Sequence, residues 1–134
     1  MTILLTGATG FLGSHLLNAL LENSYEVVIL KRSFSNTKRI ESLLPRVKSY
    51  DIDLVDLEDV FNENKIETIL HTATNYGRDG SSFFDLIQTN VLFPVKLLEL
   101  AVKYNIKNFI NTDTALNSSV SNYSLTKKTF FRIF

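Results

Sequence analysis

Tyr123 and Lys127 stand four residues apart in the stretch Tyr-Ser-Leu-Thr-Lys. On a helix, side chains at i and i+4 share one face. A phenol with a reference pKa of about 10 is a poor proton donor or acceptor at neutral pH until a neighbouring ammonium stabilises its anion. The pair is therefore suited to moving one proton to or from an oxygen of a small molecule. Y-x-x-x-K occurs often by chance, and it gains meaning only if the chain also builds a place for a reaction partner.

Such a place is written at the other end of the chain. The run Thr6–Gly13, TGATGFLG, follows the apolar Ile3-Leu4-Leu5 and leads directly into FLGSHLLNALLEN, so three glycines sit where a strand turns into a helix. Gly7 can take positive φ for the tight turn, Gly10 lets a pyrophosphate approach the main chain, and Gly13 lets the helix lie close on the strand. The helix N-terminus then directs free N–H groups and a partial positive charge at the phosphates, with Thr9, Phe11 and Leu12 completing the set between the glycines. A ligand-free glycine turn is the alternative, and the strand before and helix after argue against it.

In NAD-binding turns of this kind an acid at the end of the second strand, about 20 residues past the glycines, bonds the ribose hydroxyls. Here Lys31 and Arg32 follow Val27-Val28-Ile29-Leu30. A carboxylate there would repel a 2′-phosphate, whereas a guanidinium clamps it with paired, charge-assisted hydrogen bonds. NADP is therefore expected in preference to NAD. Lys38 and Arg39 add positive field, or form an ordinary solvated face.

Those residues must be positioned, and the chain alternates short β-rich runs with helical patterns, the mark of βαβ units and a parallel sheet. Strands are expected at Ile3–Leu5, Glu26–Leu30, Val47–Ile52, Thr68–Ala73 and Phe109–Thr112. Helices are expected at Phe11–Glu22, with Leu12, Leu16, Leu17, Leu20 and Leu21 on one apolar face, and at Asp56–Lys65, with Leu57, Val60 and Phe61 inward. A short helix ended by Pro45 should follow KRSFSNTKR, a long one should run from Phe83 to Tyr104, and the chain should be helical from Ser121 on. Pro94 lies inside the long helix and should bend it or remove one hydrogen bond.

A chain of 134 residues with 45% apolar content can bury one core, as one domain or part of one. Zero net charge argues against nucleic acid or an anionic membrane as a general partner. Cysteine is absent, which removes disulfides, thiolate ligands and thiol nucleophiles. No segment approaches the ~20 apolar residues of a membrane span. MTILLTGATG lacks the basic region of a signal peptide, so a cytoplasmic location is expected.

TGATGFLG resembles the form used by extended short-chain dehydrogenases, the family of nucleotide-sugar epimerases, dehydratases and reductases. The resemblance covers essentially the whole chain. It implies an α/β fold, a Rossmann-type doubly wound parallel sheet truncated after the Y-x-x-x-K helix. Residues 1–134 would then be an incomplete NAD(P)-binding domain whose substrate lobe is absent. Tyr50-Asp51-Ile52 resembles the family segment that cradles the adenine, which implies contacts from Asp51 and Ile52 and leaves Asp53 as a surface or capping acid. His71-Thr72-Ala73-Thr74 resembles the turn beside the nicotinamide half, which implies contacts from Thr72, Ala73 and Thr74. His71 itself reads as structural; with His15 on the first helix and no acid cluster, no metal site is indicated. NFINTDTAL resembles the fifth strand, which ends in a Ser or Thr that holds the substrate carbonyl; Thr114 falls in that role, with Thr112 the alternative. Asn90 matches the Asn that ties its helix to strand four. The implied chemistry is hydride transfer between nicotinamide C4 and a sugar carbon. Tyr123 would move the hydroxyl proton, Lys127 would tune it while reaching the nicotinamide ribose, and Thr114 would stabilise developing charge.

Family dehydratases carry an Asp-Glu pair directly after the catalytic Thr, where Ala115 and Leu116 stand here, so dehydration is disfavoured unless a shifted register lets Asp113 serve. Epimerases generally show the acid that Lys31 and Arg32 replace. HTATNYGR and FINTDTAL resemble bacterial CDP-sugar 4-ketoreductases of the CDP-abequose synthase kind, which supply dideoxysugars for surface polysaccharide such as O-antigen. The expected partner is a nucleotide sugar, with a homodimer as the assembly to test. The ending TFFRIF would expose Phe130, Phe131, Ile133 and Phe134 with little to cover them, and weak or no turnover is expected of this stretch alone. The alternatives are an epimerase or dehydratase of the same family, or a non-catalytic NADP-binding interaction module, which would need none of Thr114, Tyr123 and Lys127.

Overall fold

A computed structural model describes residues 1–78 and 80–134 of the chain. Apolar runs with β-branched residues form the strands at its centre: β1 (Thr2–Thr6), β2 (Glu26–Lys31), β3 (Lys48–Asp51), β4 (Ile66–His71) and β5 (Asn108–Asn111). They pair in the order β3-β2-β1-β4-β5, every neighbouring pair parallel. β1 and β2 read as near-continuous apolar runs because a parallel sheet is covered on both faces. Successive side chains alternate between those faces. Leu5, Val27 and Ile29 join Leu17 and Leu21 of α1 (Phe11–Glu22) together with Ile40, while Leu4, Val28 and Leu30 join the helices on the other side. Those are α2 (Leu57–Glu63), through Val60 and Phe61, and α4 (Phe93–Lys103), through Leu97 and Leu100. The fold is thus the expected Rossmann-type, doubly wound sheet. The strand order reverses direction at β1 and β4, and the crevice past their C-terminal ends is where such sheets bind ligands.

Several boundaries differ from the sequence reading. No α-helix precedes Pro45; turns closed by Ile40 N–H to Thr37 O and Leu43 N–H to Ile40 O lead into a 3₁₀ turn, Leu44–Arg46, that contains the proline. The fixed φ of proline suits the first positions of a helical turn rather than its end. β4 begins earlier than expected and stops at His71, which leaves Thr72–Thr74 in the following loop.

The helix predicted from Phe83 to Tyr104 is divided. α3 (Phe83–Ile87) is held by a Ser82–Asp85 capping box, a π turn occupies Gln88–Leu92, and α4 resumes with Pro94 in its first turn. The π turn opens the hydrogen-bond ladder where Pro94 has no N–H to give.

At the end of the chain, α5 (Asn122–Ile133) buries Phe130 completely against Phe109 and His71, contrary to the exposure expected for it. Phe131, Ile133 and Phe134 do lie about half exposed. Among the described residues no helix is long and apolar enough to cross a membrane.

Candidate functional site

The glycine turn is built by contact as well as by sequence. Gly7 has φ +72°, and a Cβ there would lie 2.6 Å from both the Ala73 nitrogen and Thr72 Oγ1. A Cβ on Gly13 would lie 2.1 Å from the Gly7 carbonyl oxygen, so only glycine lets α1 sit this close to the end of β1. Gly10 is different: a Cβ would meet only the Gly7 oxygen, at 3.3 Å, and its other surroundings are open. Gly10 is also the N-cap of α1, with no side-chain cap and no acid in the first turn. The first helical bond runs from Ser14 N–H to Gly10 O, so the amides of Phe11, Leu12 and Gly13 have no acceptor within the helix. The Phe11 and Leu12 side chains point away into solvent, and Thr9 lies half-buried in the turn. An open glycine under unpaired amides fits the pyrophosphate of a dinucleotide.

Behind the turn, Thr6 joins β1 to β4. Its hydroxyl oxygen accepts the Thr72 and Ala73 N–H groups, each at 3.2 Å, and its carbonyl accepts the Thr72 hydroxyl at 2.7 Å. With its lone pairs engaged, the Thr6 hydroxyl must donate to His71 Nδ1, 2.8 Å away, which leaves the His71 proton on Nε2. His71 is fully buried beside the rings of Phe93, Phe109 and Phe130. Burial drives its pKa down to about 3, assisted by the Lys127 charge. It is a neutral structural group that locks two strand ends together.

At the ends of β2 and β3, the structure pairs two residues that the sequence assigns separately to the cofactor. The Lys31 ammonium donates to the Asp51 carboxylate across β2 and β3. Arg32 is exposed just past β2, its guanidinium 4.7 Å from the Phe34 ring centroid. Asp53 accepts the Ser33 N–H at 2.8 Å and its hydroxyl at 2.5 Å, and those bonds hold its carboxyl below the usual range. Asp53 is thus a capping acid. Ile52 extends the β3 ladder through its N–H to Lys31 O and packs its side chain on the core.

Tyr123 and Lys127 lie past the ends of β4 and β5. A reciprocal Ser121–Ser124 cap starts α5, which places Tyr123 partly buried and Lys127 almost completely so. The Thr114 hydroxyl accepts the Leu116 N–H at 3.2 Å and lies near enough to the Tyr123 phenol to oppose the upward shift of its pKa. The alternative residues have other partners: Thr112 donates to the His71 carbonyl at 3.2 Å, and Asp113 accepts from Lys128 at 2.6 Å. The sequence predicts a phenol lowered by Lys127. In the structure burial dominates, and with Tyr76 and Asp113 adding to it the phenol is pushed up and keeps its proton at neutral pH. Lys127 runs inward, and the same loss of solvent lowers its own pKa, with Asp113 opposing.

Asn90, buried in the π turn, accepts the Asn75 N–H at 2.8 Å and the Thr74 hydroxyl at 3.2 Å. Its amide donates to Asn75 O at 2.8 Å and to Thr126 Oγ1 at 3.0 Å. It therefore ties the loop after β4 to the helix carrying Tyr123 and Lys127, a link wider than the one expected. Thr126 lay inside the Y-x-x-x-K stretch without being singled out. Tyr76 was also missed; its ring lies 5.0 Å from that of Tyr123, and both rings line a cavity of about 240 Å³ with Ser81, Phe83, Leu86 and Ser121. The Asn-Tyr-Gly turn was the available signal, but nothing local gave its direction.

The chain matches the model of the NAD dependent epimerase/dehydratase family over residues 3–127. It is 35% identical over 121 residues to a CDP-abequose synthase of Salmonella muenchen, covering 90% of this chain and 40% of that protein. It is 32% identical over 134 residues to a UDP-glucose 4-epimerase of Caenorhabditis elegans, covering 86% of this chain and 38% of that protein. Among solved structures, UDP-glucuronic acid 4-epimerase from Bacillus cereus in complex with NAD superposes with TM-score 0.82 and 31% identity, over 99% of this chain and 50% of that one. UDP-glucose 4-epimerase from Bifidobacterium longum in complex with NAD+ and UDP gives TM-score 0.85 and 25% identity, over 99% and 48%. The chain thus spans about two fifths of these curated relatives and about half of these solved chains. The glycine turn at the reversal of the sheet, the fold around it and the match over nearly the whole length agree: the chain belongs to the NAD dependent epimerase/dehydratase family.

Proposed function

We propose that this chain forms the cofactor-binding half of an NADPH-dependent reductase acting on the 4-keto group of a CDP sugar. The observation that carries this reading is the placing of α5, which bears Tyr123 and Lys127, against the C-terminal end of β4, on the side of the sheet where the open Gly10 turn follows β1. When bound, the dinucleotide would supply hydride to the carbonyl carbon. Tyr123 gives its proton to the carbonyl oxygen, and a phenol that burial keeps protonated is the form a reduction needs. Thr114 holds that oxygen while negative charge develops on it. Lys127 reaches the ribose hydroxyls and favours the phenolate left after transfer.

Arg32 is the cation available to a 2′-phosphate, because Lys31 already holds Asp51. Thr72, Ala73 and Thr74 border the nicotinamide half, and Asp51 and Ile52 the adenine. The similarity to CDP-abequose synthase supports a CDP sugar and a role in surface-polysaccharide synthesis. Ala115 and Leu116 in place of an acidic pair argue against dehydration. The sugar-nucleotide grip would come from residues outside this chain, which alone should bind cofactor with weak or no turnover.

The identity to a UDP-glucose 4-epimerase supports a second reading, in which NAD is retained rather than NADPH consumed. Fluorescence titration separates the two. NADPH should bind at least about tenfold more tightly than NADH, and equal or tighter NADH binding would overturn the Arg32 argument. In a longer protein containing this chain, NADPH oxidation with a CDP-4-keto sugar should vanish in Tyr123→Phe. Retained turnover would rule out Tyr123 as the donor.

A further inference from the structure

We propose that Tyr76 is a positioning residue for Tyr123: its ring, set against the Tyr123 ring by a loop that Asn90 holds, keeps the phenol in one orientation and covers one side of it from water. The inference rests on the reading of Tyr123 as proton donor. The rings are 5.0 Å apart and tilted by 33°, within the range where aromatic pairs attract.

The loop presenting Tyr76 is held on both sides. The Asn75 N–H and C=O are both bound by the Asn90 side chain, and the Asn75 side-chain oxygen accepts the Gly77 N–H at 2.9 Å. Asn90 also bonds Thr126 on α5, so one side chain connects the backbone beside Tyr76 to the helix that carries Tyr123. The two rings are thereby registered against each other before any substrate arrives.

The electrostatic consequence follows from the geometry. One side of the Tyr123 ring loses water to Tyr76, which disfavours its charged form, and the π face of a neighbouring ring is itself negative. Among the described residues, Thr114 and Asp113, past β5, also act on the phenol, with Asp113 held by Lys128. On its own helix stands Lys127, whose charge is also felt at His71. The Arg78 guanidinium lies 5.3 Å from the Tyr76 ring centroid. Tyr76 is the group that covers Tyr123 from the loop after β4, and it shares the cavity beside it.

Tyrosine ¹³Cζ labelling of this chain tests the arrangement, with the Tyr123 signal assigned by its loss in Tyr123→Phe. Tyr76→Phe keeps the ring but removes the phenol whose charge also raises Tyr123, and should lower the Tyr123 midpoint by less than the loss of the ring does. Tyr76→Ala should lower it by about half a unit to one unit, about a three- to tenfold rise in the ionisation constant. Tyr76→Gln, which keeps reach without a ring, repeats the measurement should Ala disturb the loop. An unmoved midpoint in the Ala and Gln variants, or an equal shift in the Phe variant, overturns the proposal. The titration needs no turnover, so a missing reductase activity would count against the proposed function alone.

Discussion

Replacing Gly10 by Ala adds one methyl group at the N-cap of α1, on the open side of the phosphate turn. Gly10 has φ −79° and ψ 176°, extended backbone that alanine adopts without strain. The new carbon would meet only the Gly7 oxygen at 3.3 Å. A poorer cap costs about 0.5–1 kcal/mol, and a less flexible unfolded chain returns about 0.4–1 kcal/mol. Stability should therefore stay within about 1 kcal/mol of wild type, a urea midpoint shift of about half a molar. Binding should respond far more. A phosphate oxygen accepting the Phe11 or Leu12 amide comes to about 2.9 Å, and a methyl beside those amides holds it off. Losing one or two such charge-assisted bonds, at about 1.5–3 kcal/mol each, weakens dinucleotide binding about tenfold for one weak bond and more than about 1,000-fold for two strong ones. Gly13→Ala is the control. Its methyl would stand 2.1 Å from the Gly7 oxygen and 2.6 Å from the Gly7 carbonyl carbon, backbone against backbone, so α1 must leave β1 at a cost of about 3 kcal/mol or more. Urea unfolding followed by circular dichroism, together with NADPH fluorescence titration, reads both quantities. A folded Gly10→Ala protein that binds NADPH within about threefold of wild type would refute the path of the pyrophosphate over Gly10.

Three further outcomes are expected. Arg32→Ala should weaken NADPH by about tenfold or more and leave NADH nearly unchanged; equal losses in the two titrations would place Arg32 away from the 2′-phosphate. His71 titrates at about 3 in the folded chain against 6.5 as its ordinary value, so between those values the unfolded chain gains a proton that the folded one refuses. Its contribution is complete above pH 6.5 and declines toward pH 3, by about 2 kcal/mol at pH 5. Urea midpoints at pH 7.5 and 5 should show this loss, His71→Phe should flatten it, and identical wild-type midpoints would contradict a buried neutral imidazole. Asn90→Ala leaves the Asn75 N–H and C=O without their partner and should cost about 2–4 kcal/mol in urea unfolding; a loss below about 0.5 kcal/mol would show that the loop does not depend on this link.

What could be read in the sequence was what is decided locally. The glycine turn and the bounds of α1 were legible because Gly7, Gly13 and the leucine periodicity each answer to neighbours a few residues away. The Lys31–Asp51 pair was not, because it follows from the β2–β3 register, which places those residues opposite each other across the sheet. Phe130 looked uncovered in sequence because its cover, His71 and Phe109, comes from two different strands. Pro94 announced a disturbance without its form; a π turn rather than a bend followed from what Asn90 must reach. Tyr76 sits in a loop whose direction is set by Asn90, fifteen positions from the Asn75 it holds.

The π turn has a consequence for how this region tolerates changes in length. Gln88–Leu92 holds one residue more than an α-helical turn would need. Each α-helical residue turns the chain by about 100°, and the wider π turn spreads nearly the same rotation over its one extra residue. A single deletion there would give a more regular helix and leave Phe83 and Leu86, two walls of the Tyr123 cavity, close to their present phase. The same deletion would draw Asn90 away from both the loop and α5. A deletion within Gln88–Leu92 should therefore leave the flanking helices in place and yet release the loop after β4 from α5.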